Sequence, residues 1–171
     1  MSTFPIRSAD GDVVPTARGR AIRPTLFVIG HPDRGDDAAA EAALAQVSAE
    51  VLTAVDVIRA MDLDVEALIG RGPIVVADAI RGPEPGTVVV WTLREVAELP
   101  TAPTASTHGL PLPAVLTLAA ALGRRPLEGR FVGIAGARFG MGKPLSAPVR
   151  AAVPRAARAI EAALRELTPC A

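Results

Sequence analysis

The sequence predicts an α/β protein: a three-layer α/β/α sandwich around a mostly parallel, twisted sheet of five strands with one antiparallel strand. Three observations support this prediction. Short apolar runs rich in Val and Ile alternate with longer Ala- and Leu-rich segments, a pattern typical of a parallel sheet covered on both faces. A glycine loop follows the first apolar run, as in the first βα unit of an open sheet. One connection between two strands is too short to contain a crossover helix.

The composition indicates one globular domain with an aliphatic core. Half of the 171 residues are hydrophobic, but only 3% are aromatic, and the length fits a single core. We expect a flexible N-terminal extension at 1–24 and a single α/β domain at 25–171. Lys plus Arg and Asp plus Glu both number 18, which argues against partners bound by excess charge. No apolar run approaches the ~20 residues of a membrane span and no signal peptide is recognisable, so we expect a cytoplasmic protein.

The first βα unit begins with an apolar strand at 26–29 that ends at Gly30. Asp36 and Asp37 follow directly before an alanine-rich segment, which predicts a helix to Val47. Adjacent acids at a helix start can simply cap backbone N–H groups and complement the helix dipole. They can equally supply ligands beyond the carboxyl end of the strand, where open α/β sheets bind their ligands.

The remaining elements follow from composition and turn residues. We expect a second strand within 50–58, a short helix at 62–69, a central strand at 74–78, a further strand at 87–91, a loop at 95–107, a helix at 111–122, a last strand at 131–135 and a closing helix at 146–167. The strand at 87–91 should run antiparallel to its predecessor, because the Pro-Glu-Pro-Gly connection is too short for a crossover. The glycines between the last strand and the closing helix predict a mobile loop.

Three potential metal ligands stand at comparable topological positions. Asp37 follows the first strand, Asp78 ends the central strand, and His108 precedes a helix. In a mainly parallel sheet these ends converge on one crevice. Two carboxylates and an imidazole suit a divalent transition metal such as nickel or zinc, and three protein ligands leave positions open for water or a substrate group. On spacing alone, a turn residue at Asp78 and a hydrogen-bonding loop residue at His108 are the alternative.

Two further features do not predict a site. Gly142-Lys143 looks like the end of a phosphate-binding loop, but that pattern requires glycine at Ala137 and Ser or Thr at Pro144. The single cysteine, Cys170, can form neither an intramolecular disulfide nor a cysteine-based metal site. Its place next to the C-terminus also makes it a poor candidate for a nucleophile.

Four short segments, in this order and strand context, carry a resemblance to a known family. They are Val28-Ile29-Gly30 with Arg34-Gly35-Asp36-Asp37, then Val75-Val76-Ala77-Asp78-Ala79, then Ser106-Thr107-His108-Gly109-Leu110-Pro111-Leu112, and finally Gly142 with Leu145-Ser146 and Val149. On these segments the chain resembles the hydrogenase maturation proteases. These are endopeptidases that trim a C-terminal extension from the large subunit of nickel–iron hydrogenase. The resemblance covers the chain from about Thr25 to its end.

The resemblance implies a peptidase that removes the C-terminal extension of a nickel–iron hydrogenase large-subunit precursor after nickel insertion. The family's metal-recognising residues fall on Asp37, Asp78 and His108, which would form both the catalytic and the metal site. The implied metal is nickel that belongs to the precursor and serves as the recognition element, with zinc or another divalent metal as the alternative. The implied partner is that precursor, with no nucleic acid and no membrane. Asp36 would orient a ligand or cap the helix.

The chain departs from the family pattern at several positions. His31 stands where the family commonly has Asn, which leaves a fourth ligand there open. Ala38 and Ala40 replace glycines, and Ala135-Gly136 replaces an acid or amide after the last strand. Two alternatives to the protease function stay open. One is a non-catalytic hydrogenase-assembly module that binds the precursor through the same crevice, and the other is an unrelated metal-dependent hydrolase of small substrates.

Overall fold

The computed structural model describes residues 23–82, 84–100 and 110–168. The predicted flexible extension at 1–24 lies almost wholly outside these residues, so the boundary of the domain stays a prediction. In the described part of the chain, no helix has the length and apolar character that crossing a membrane requires.

The structure contains five strands and six helices within the described ranges. The strands are β1 (Thr25–Ile29), β2 (Asp56–Ala60), β3 (Ile74–Arg81), β4 (Val88–Thr92) and β5 (Gly129–Gly136). The helices are α1 (Ala39–Leu44), α2 (Ala49–Thr53), α3 (Val65–Leu68), α4 (Leu93–Ala97), α5 (Leu112–Gly123) and α6 (Ala147–Leu167). A single 3₁₀ turn, Gly35–Ala38, precedes α1.

The strands form one sheet in the order β2-β1-β3-β5-β4. β1 pairs in parallel with β2 and β3, and β3 pairs in parallel with β5, whereas β4 is antiparallel to β5. β4 therefore also runs opposite to β3, its predecessor in the chain, although β5 lies between them. The predicted fold class, a mostly parallel sheet of five strands with one antiparallel strand, is confirmed.

Alternate residues of the central strands face two different helical layers. Leu26 and Val75 pack with residues of α1 and α6 on one face of the sheet. Phe27 and Val76 pack with residues of α3, α4 and α5 on the other. Full burial of such side chains contributes about 1.5–3 kcal/mol each. The alternation explains why the central strands read as continuous apolar runs in the sequence.

The predicted second strand is half helix, because α2 occupies Ala49–Thr53 and β2 begins only at Asp56. Val47, Val51 and Val55 are all buried in the layer that contains α6. Their spacing of four residues is the period of a helix face rather than the period of two of a strand. The β-branched composition of this segment therefore gave the wrong element.

The predicted loop from residue 95 begins with a helix, α4. Its first turn is fixed by a capping box: Thr92 Oγ1 accepts a hydrogen bond from the Glu95 N–H at 3.1 Å, and the Glu95 carboxylate accepts one from the Thr92 N–H at 2.7 Å. Leu93 and Val96 of this helix are buried against the sheet. The Thr-x-x-Glu spacing indicates a helix start, but the loop prediction rested on composition and did not use this spacing.

Unequal strand lengths create a crevice over the end of β1. The pairing of β1 with β3 stops at Val28 and Ala77, whereas β3 and β5 stay paired through Arg81 and Gly136. The sheet is therefore stepped at its carboxyl edge. In open α/β sheets this edge is where ligands bind.

Candidate functional site

Asp37 is held at the carboxyl end of β1 by the loop before it. Gly30 has a φ of 131°, and a Cβ there would lie 2.1 Å from the Asp37 carbonyl oxygen, so the close approach requires glycine. The His31 N–H donates a hydrogen bond to Oδ2 of Asp37 at 3.0 Å. Among the described residues, Oδ1 of the same half-buried carboxylate accepts no hydrogen bond, which leaves it available to a ligand.

Asp36, the neighbouring acid, has a different environment and is fully buried. Its Oδ2 accepts hydrogen bonds from the backbone N–H groups of Ala137 at 2.8 Å and Arg138 at 2.9 Å. Its Oδ1 accepts one from the Ser146 N–H at 2.6 Å. Asp36 thereby joins the loop after β1 to both ends of the β5–α6 loop, residues 137–146. Neither role predicted from the sequence, a helix cap or a ligand-orienting group, accounts for these contacts.

Further contacts tie the β5–α6 loop to the loop after β1. The Gly142 N–H donates to the Asp33 carbonyl oxygen at 2.7 Å, and Arg34 Nε donates to the Phe139 carbonyl oxygen at 3.1 Å. The structure therefore gives a tethered loop where the glycine content predicts a mobile one. No local pattern could have shown this, because the partners lie about a hundred residues apart in the sequence.

Asp78 lies within β3 rather than at its end. The strand does not stop at Asp78 as predicted but continues to Arg81, because β5 pairs with it that far. On the other side of β3, the pairing with β1 stops at Ala77. Asp78 is thus the first residue of β3 beyond its pairing with β1, and it borders the crevice.

Two adjoining cavities, which share Ile29, lie at this edge of the sheet. Asp78 lines one of about 200 Å³, together with Ile29, Asp62, Leu63, Asp64, Val65, Val76, Leu110, Leu112 and Val115. Asp37 lines the other, of about 490 Å³, together with Val28, Ile29, Gly30, Pro32, Glu41, Arg59, Ala60 and Met61. The structure therefore brings the two predicted carboxylates to neighbouring cavities on either side of the end of β1.

The third predicted ligand, His108, lies outside the described residues. Leu110, the first described residue after it, lines the cavity that contains Asp78. Among the described residues, no group of three His, Cys, Asp or Glu side chains is arranged to hold a metal ion. The three-ligand site of Asp37, Asp78 and His108 therefore stays a prediction.

His31, the open fourth ligand, is engaged in its own loop. Its Nδ1 accepts a hydrogen bond from the Asp33 N–H at 3.2 Å, while its backbone N–H holds Asp37. The residue that replaces the common Asn thus helps to fix both the loop and the carboxylate.

Comparison with known proteins agrees with this fold. The family model described as hydrogenase maturation protease matches residues 43–163, which is more than half of the chain. The chain belongs to the hydrogenase maturation protease family. It is therefore a peptidase. The matched range includes Asp78 and residue 108 and begins after Asp37.

Solved structures of similar fold carry related names. The hydrogenase maturating endopeptidase HybD from E. coli is 24% identical with a TM-score of 0.68, over 84% of this chain and 93% of that one. The maturation protease HybD from Thermococcus kodakarensis is 25% identical with a TM-score of 0.59, over 86% of this chain and 99% of that one. HycI from Thermococcus kodakarensis KOD1 is 24% identical with a TM-score of 0.57. A comparison with curated proteins gave no match.

The acidic surroundings of the crevice change the proton affinity of Asp78. The pKa of Asp78 is raised to about 7, chiefly by burial and also by the negative charges of Asp37 and Asp62, against a hydrogen bond from the Ala79 backbone that lowers it. For Asp36, burial also works to raise the pKa. The hydrogen bonds donated by the Ser146, Ala137 and Arg138 backbones outweigh it and hold this pKa below its ordinary value.

Asp36→Asn should lower the free energy of unfolding by about 2–4 kcal/mol at neutral pH, because three backbone donors lose a charged acceptor. A carboxyl with a lowered pKa stabilises the fold above its unfolded pKa, near 3.8, and loses this contribution as pH falls through its folded value. The deficit should therefore shrink in acid. Urea unfolding between pH 3 and 7 measures it, with Asp37→Asn as the matched control. Equal costs for the two variants would contradict the role of Asp36.

Asp78→Asn should stabilise the protein, and more so at higher pH. A carboxyl whose pKa rises from 3.8 unfolded to about 7 folded opposes folding increasingly as pH rises between these values. The variant should have the wild-type melting temperature at pH 4 and a higher one at pH 8. The gain in the free energy of unfolding at pH 8 should be up to roughly 4 kcal/mol. The exposed Asp33→Asn is the control. No difference between Asp78→Asn and wild type at pH 8 would refute this effect.

Proposed function

We propose that the protein is an endopeptidase that removes the C-terminal extension of a nickel–iron hydrogenase large-subunit precursor after nickel insertion. The observation that supports this most directly is the placement of Asp37 and Asp78 in adjoining cavities at the carboxyl edge of the sheet. Membership of the hydrogenase maturation protease family supports the reaction class and the substrate. In this proposal Asp37, Asp78 and His108 recognise the metal centre of the precursor.

The charge of the crevice fits a cation that arrives with the substrate. Within the described residues neither Asp37 nor Asp78 lies in an ion pair, whereas Glu41, on the rim of the Asp37 cavity, pairs with Arg59 at 3.0 Å. A carboxyl whose pKa is raised by neighbouring carboxylates, as that of Asp78 is, gains from a bound divalent cation. Carboxylate oxygens with an imidazole also form a donor set that nickel or zinc accepts. The residues present therefore fit a divalent metal.

The raised pKa of Asp78 couples metal binding to the release of a proton. At neutral pH this carboxyl is partly protonated before substrate arrives. A carboxyl must lose its proton to bind a metal, so engagement of the nickel centre would release it. A precursor without nickel gives no such compensation for the repulsion between the acids. We propose that this difference is how the protease separates loaded from unloaded precursor.

Asp37→Ala and His108→Ala should each lower kcat/KM for trimming by about 100-fold or more, since each removes one of the proposed ligands of the metal centre. The assay follows conversion of nickel-loaded precursor to its shortened form on a gel. Both variants should keep the wild-type melting temperature, because crevice side chains contribute little to the core.

Asp33→Ala is the matched control for these variants. It removes an exposed carboxylate from the same loop and should trim at close to the wild-type rate. Normal trimming by Asp37→Ala and His108→Ala would show that the three residues do not form the site.

Removal of nickel from the precursor should abolish trimming, and reloading should restore it. Treatment of the protease alone with a chelator that is then removed should leave its activity unchanged, because the metal belongs to the substrate. Zinc offered to the unloaded precursor tests the alternative metal. If the chelator-treated protease is inactive until metal is returned to it, the ion is instead resident in the enzyme.

The same assay tests the non-catalytic alternative. Tight binding of nickel-loaded precursor with no shortened product would make the chain an assembly module that uses the crevice for binding. Cleavage of unrelated small peptides without a hydrogenase partner would favour a general hydrolase.

A further inference from the structure

A basic surface lies beside the crevice, on the tethered β5–α6 loop, the loop after β1 and the end of β3. We call it the basic platform and define it as Arg34, Arg81, Arg138, Phe139, Met141 and Lys143. All four cationic side chains are exposed. Within two residues of them in the sequence stand two carboxylates, Asp33 and the buried Asp36, so the cations outnumber these anions in a chain whose formal net charge is zero.

Specific contacts hold the platform in one arrangement. Arg34 Nε donates to the Phe139 carbonyl oxygen at 3.1 Å, and the backbones of Arg34 and Lys143 form a parallel bridge. The Arg81 guanidinium lies over the Phe139 ring, 4.7 Å from its centroid, at a distance typical of a cation–π contact. The three hydrogen bonds to Asp36 anchor both ends of the same loop. The cations are therefore presented by a fixed scaffold.

The four platform cations form no ion pair with any described residue. Ion pairs between described residues engage five other arginines, namely Arg23, Arg59, Arg94, Arg130 and Arg165. In those same ranges, none of the four platform cations lies within 4.0 Å of a carboxylate oxygen. Like charges held close together repel one another, so this arrangement costs stability in the free protein. An acidic partner would offset that cost.

The centre of the platform is apolar. Met141 is 61% exposed, and the partly exposed Phe139 ring lies under Arg81. Aromatic, Met and Arg side chains are enriched at protein–protein interfaces, and Met adapts readily to a partner's shape. A polyanion such as nucleic acid fits less well, because the adjacent crevice carries Asp37, Asp62 and Asp78.

We propose that the basic platform docks an acidic surface of the precursor, with an apolar side chain of the precursor on Met141. This inference rests on the proposed function and adds to it the surface that delivers the substrate. Arg34 precedes Asp37 by only three residues in the segment after β1. A protein bound to the platform would therefore lie directly beside the crevice. Charge complementarity at such a rim acts mainly on encounter and on specificity.

The test is the double variant Arg138→Glu with Lys143→Glu. These two side chains make no hydrogen bond or ion pair within the described ranges, so the fold should be unaffected. With nickel-loaded precursor, KM should rise by about tenfold or more while kcat stays close to wild type. The rise of KM with salt, steep for wild type, should flatten.

The matched control is Arg124→Glu with Arg158→Glu, an equal change of charge at two exposed arginines outside the platform. This variant should keep the wild-type KM. Thermal melting checks that both proteins fold. If the charge-reversed platform does not fold, the neutral pair Arg138→Gln with Lys143→Gln should still raise KM, by a smaller factor.

Binding measured separately from cleavage distinguishes the two proposals. Trimming with an unchanged KM in the platform variant would overturn the docking surface and leave the protease function standing. A second result is that wild type and the matched control both bind the precursor without trimming it, while the platform variant fails to bind. That result would support the docking surface and reject the protease function. Absence of both binding and trimming in wild type rejects both. A duplex DNA oligonucleotide that competes with the precursor at equal affinity would overturn the assignment to a protein.

Discussion

The buried carboxylate of Asp36 is the constraint on which the arrangement of the site depends. Through three backbone N–H groups it fastens the loop after β1 to both ends of the β5–α6 loop. A buried charge is tolerated only when it is fully hydrogen-bonded, so the two loops must stay together while the protein is folded. The position of Asp37 and the shape of the basic platform both follow from this junction.

The adjacent acids Asp36 and Asp37 show how one sequence pattern can serve two physical ends. Three backbone N–H groups stabilise Asp36 as an anion and lower its pKa. Asp37 keeps one oxygen without a donor in the described structure, and its charge raises the pKa of Asp78 across the end of β1. Asp36 therefore stabilises the fold, whereas the repulsion between Asp37 and Asp78 lowers its stability. Such a loss of stability is common at functional sites. The crevice and the basic platform together give one edge of the molecule two opposite potentials.

Much of the fold was predictable because its signals are local. Continuous apolar strands with buried alternate faces, a glycine-ended first strand and a short Pro-Glu-Pro-Gly connection are each legible over a few residues. The failures were also local: the four-residue spacing of Val47, Val51 and Val55 indicates a helix face, and Thr92 with Glu95 is a helix cap. Both signals are present in the sequence. The prediction instead followed the β-branched composition in the first case and the loop-like composition in the second.

The sequence by itself determined the fold class, the family resemblance and the placement of Asp37 and Asp78 near the carboxyl edge of the sheet. Periodicity and short motifs survive without any knowledge of contacts, which is why these features could be predicted. Tertiary structure alone decided that Asp36 is a junction, that the glycine loop is tethered, and that four cations lie together beside the crevice. Those properties depend on residues about a hundred positions apart meeting in space, and on the free energy of burying a charge where donors converge. No local pattern carries that information.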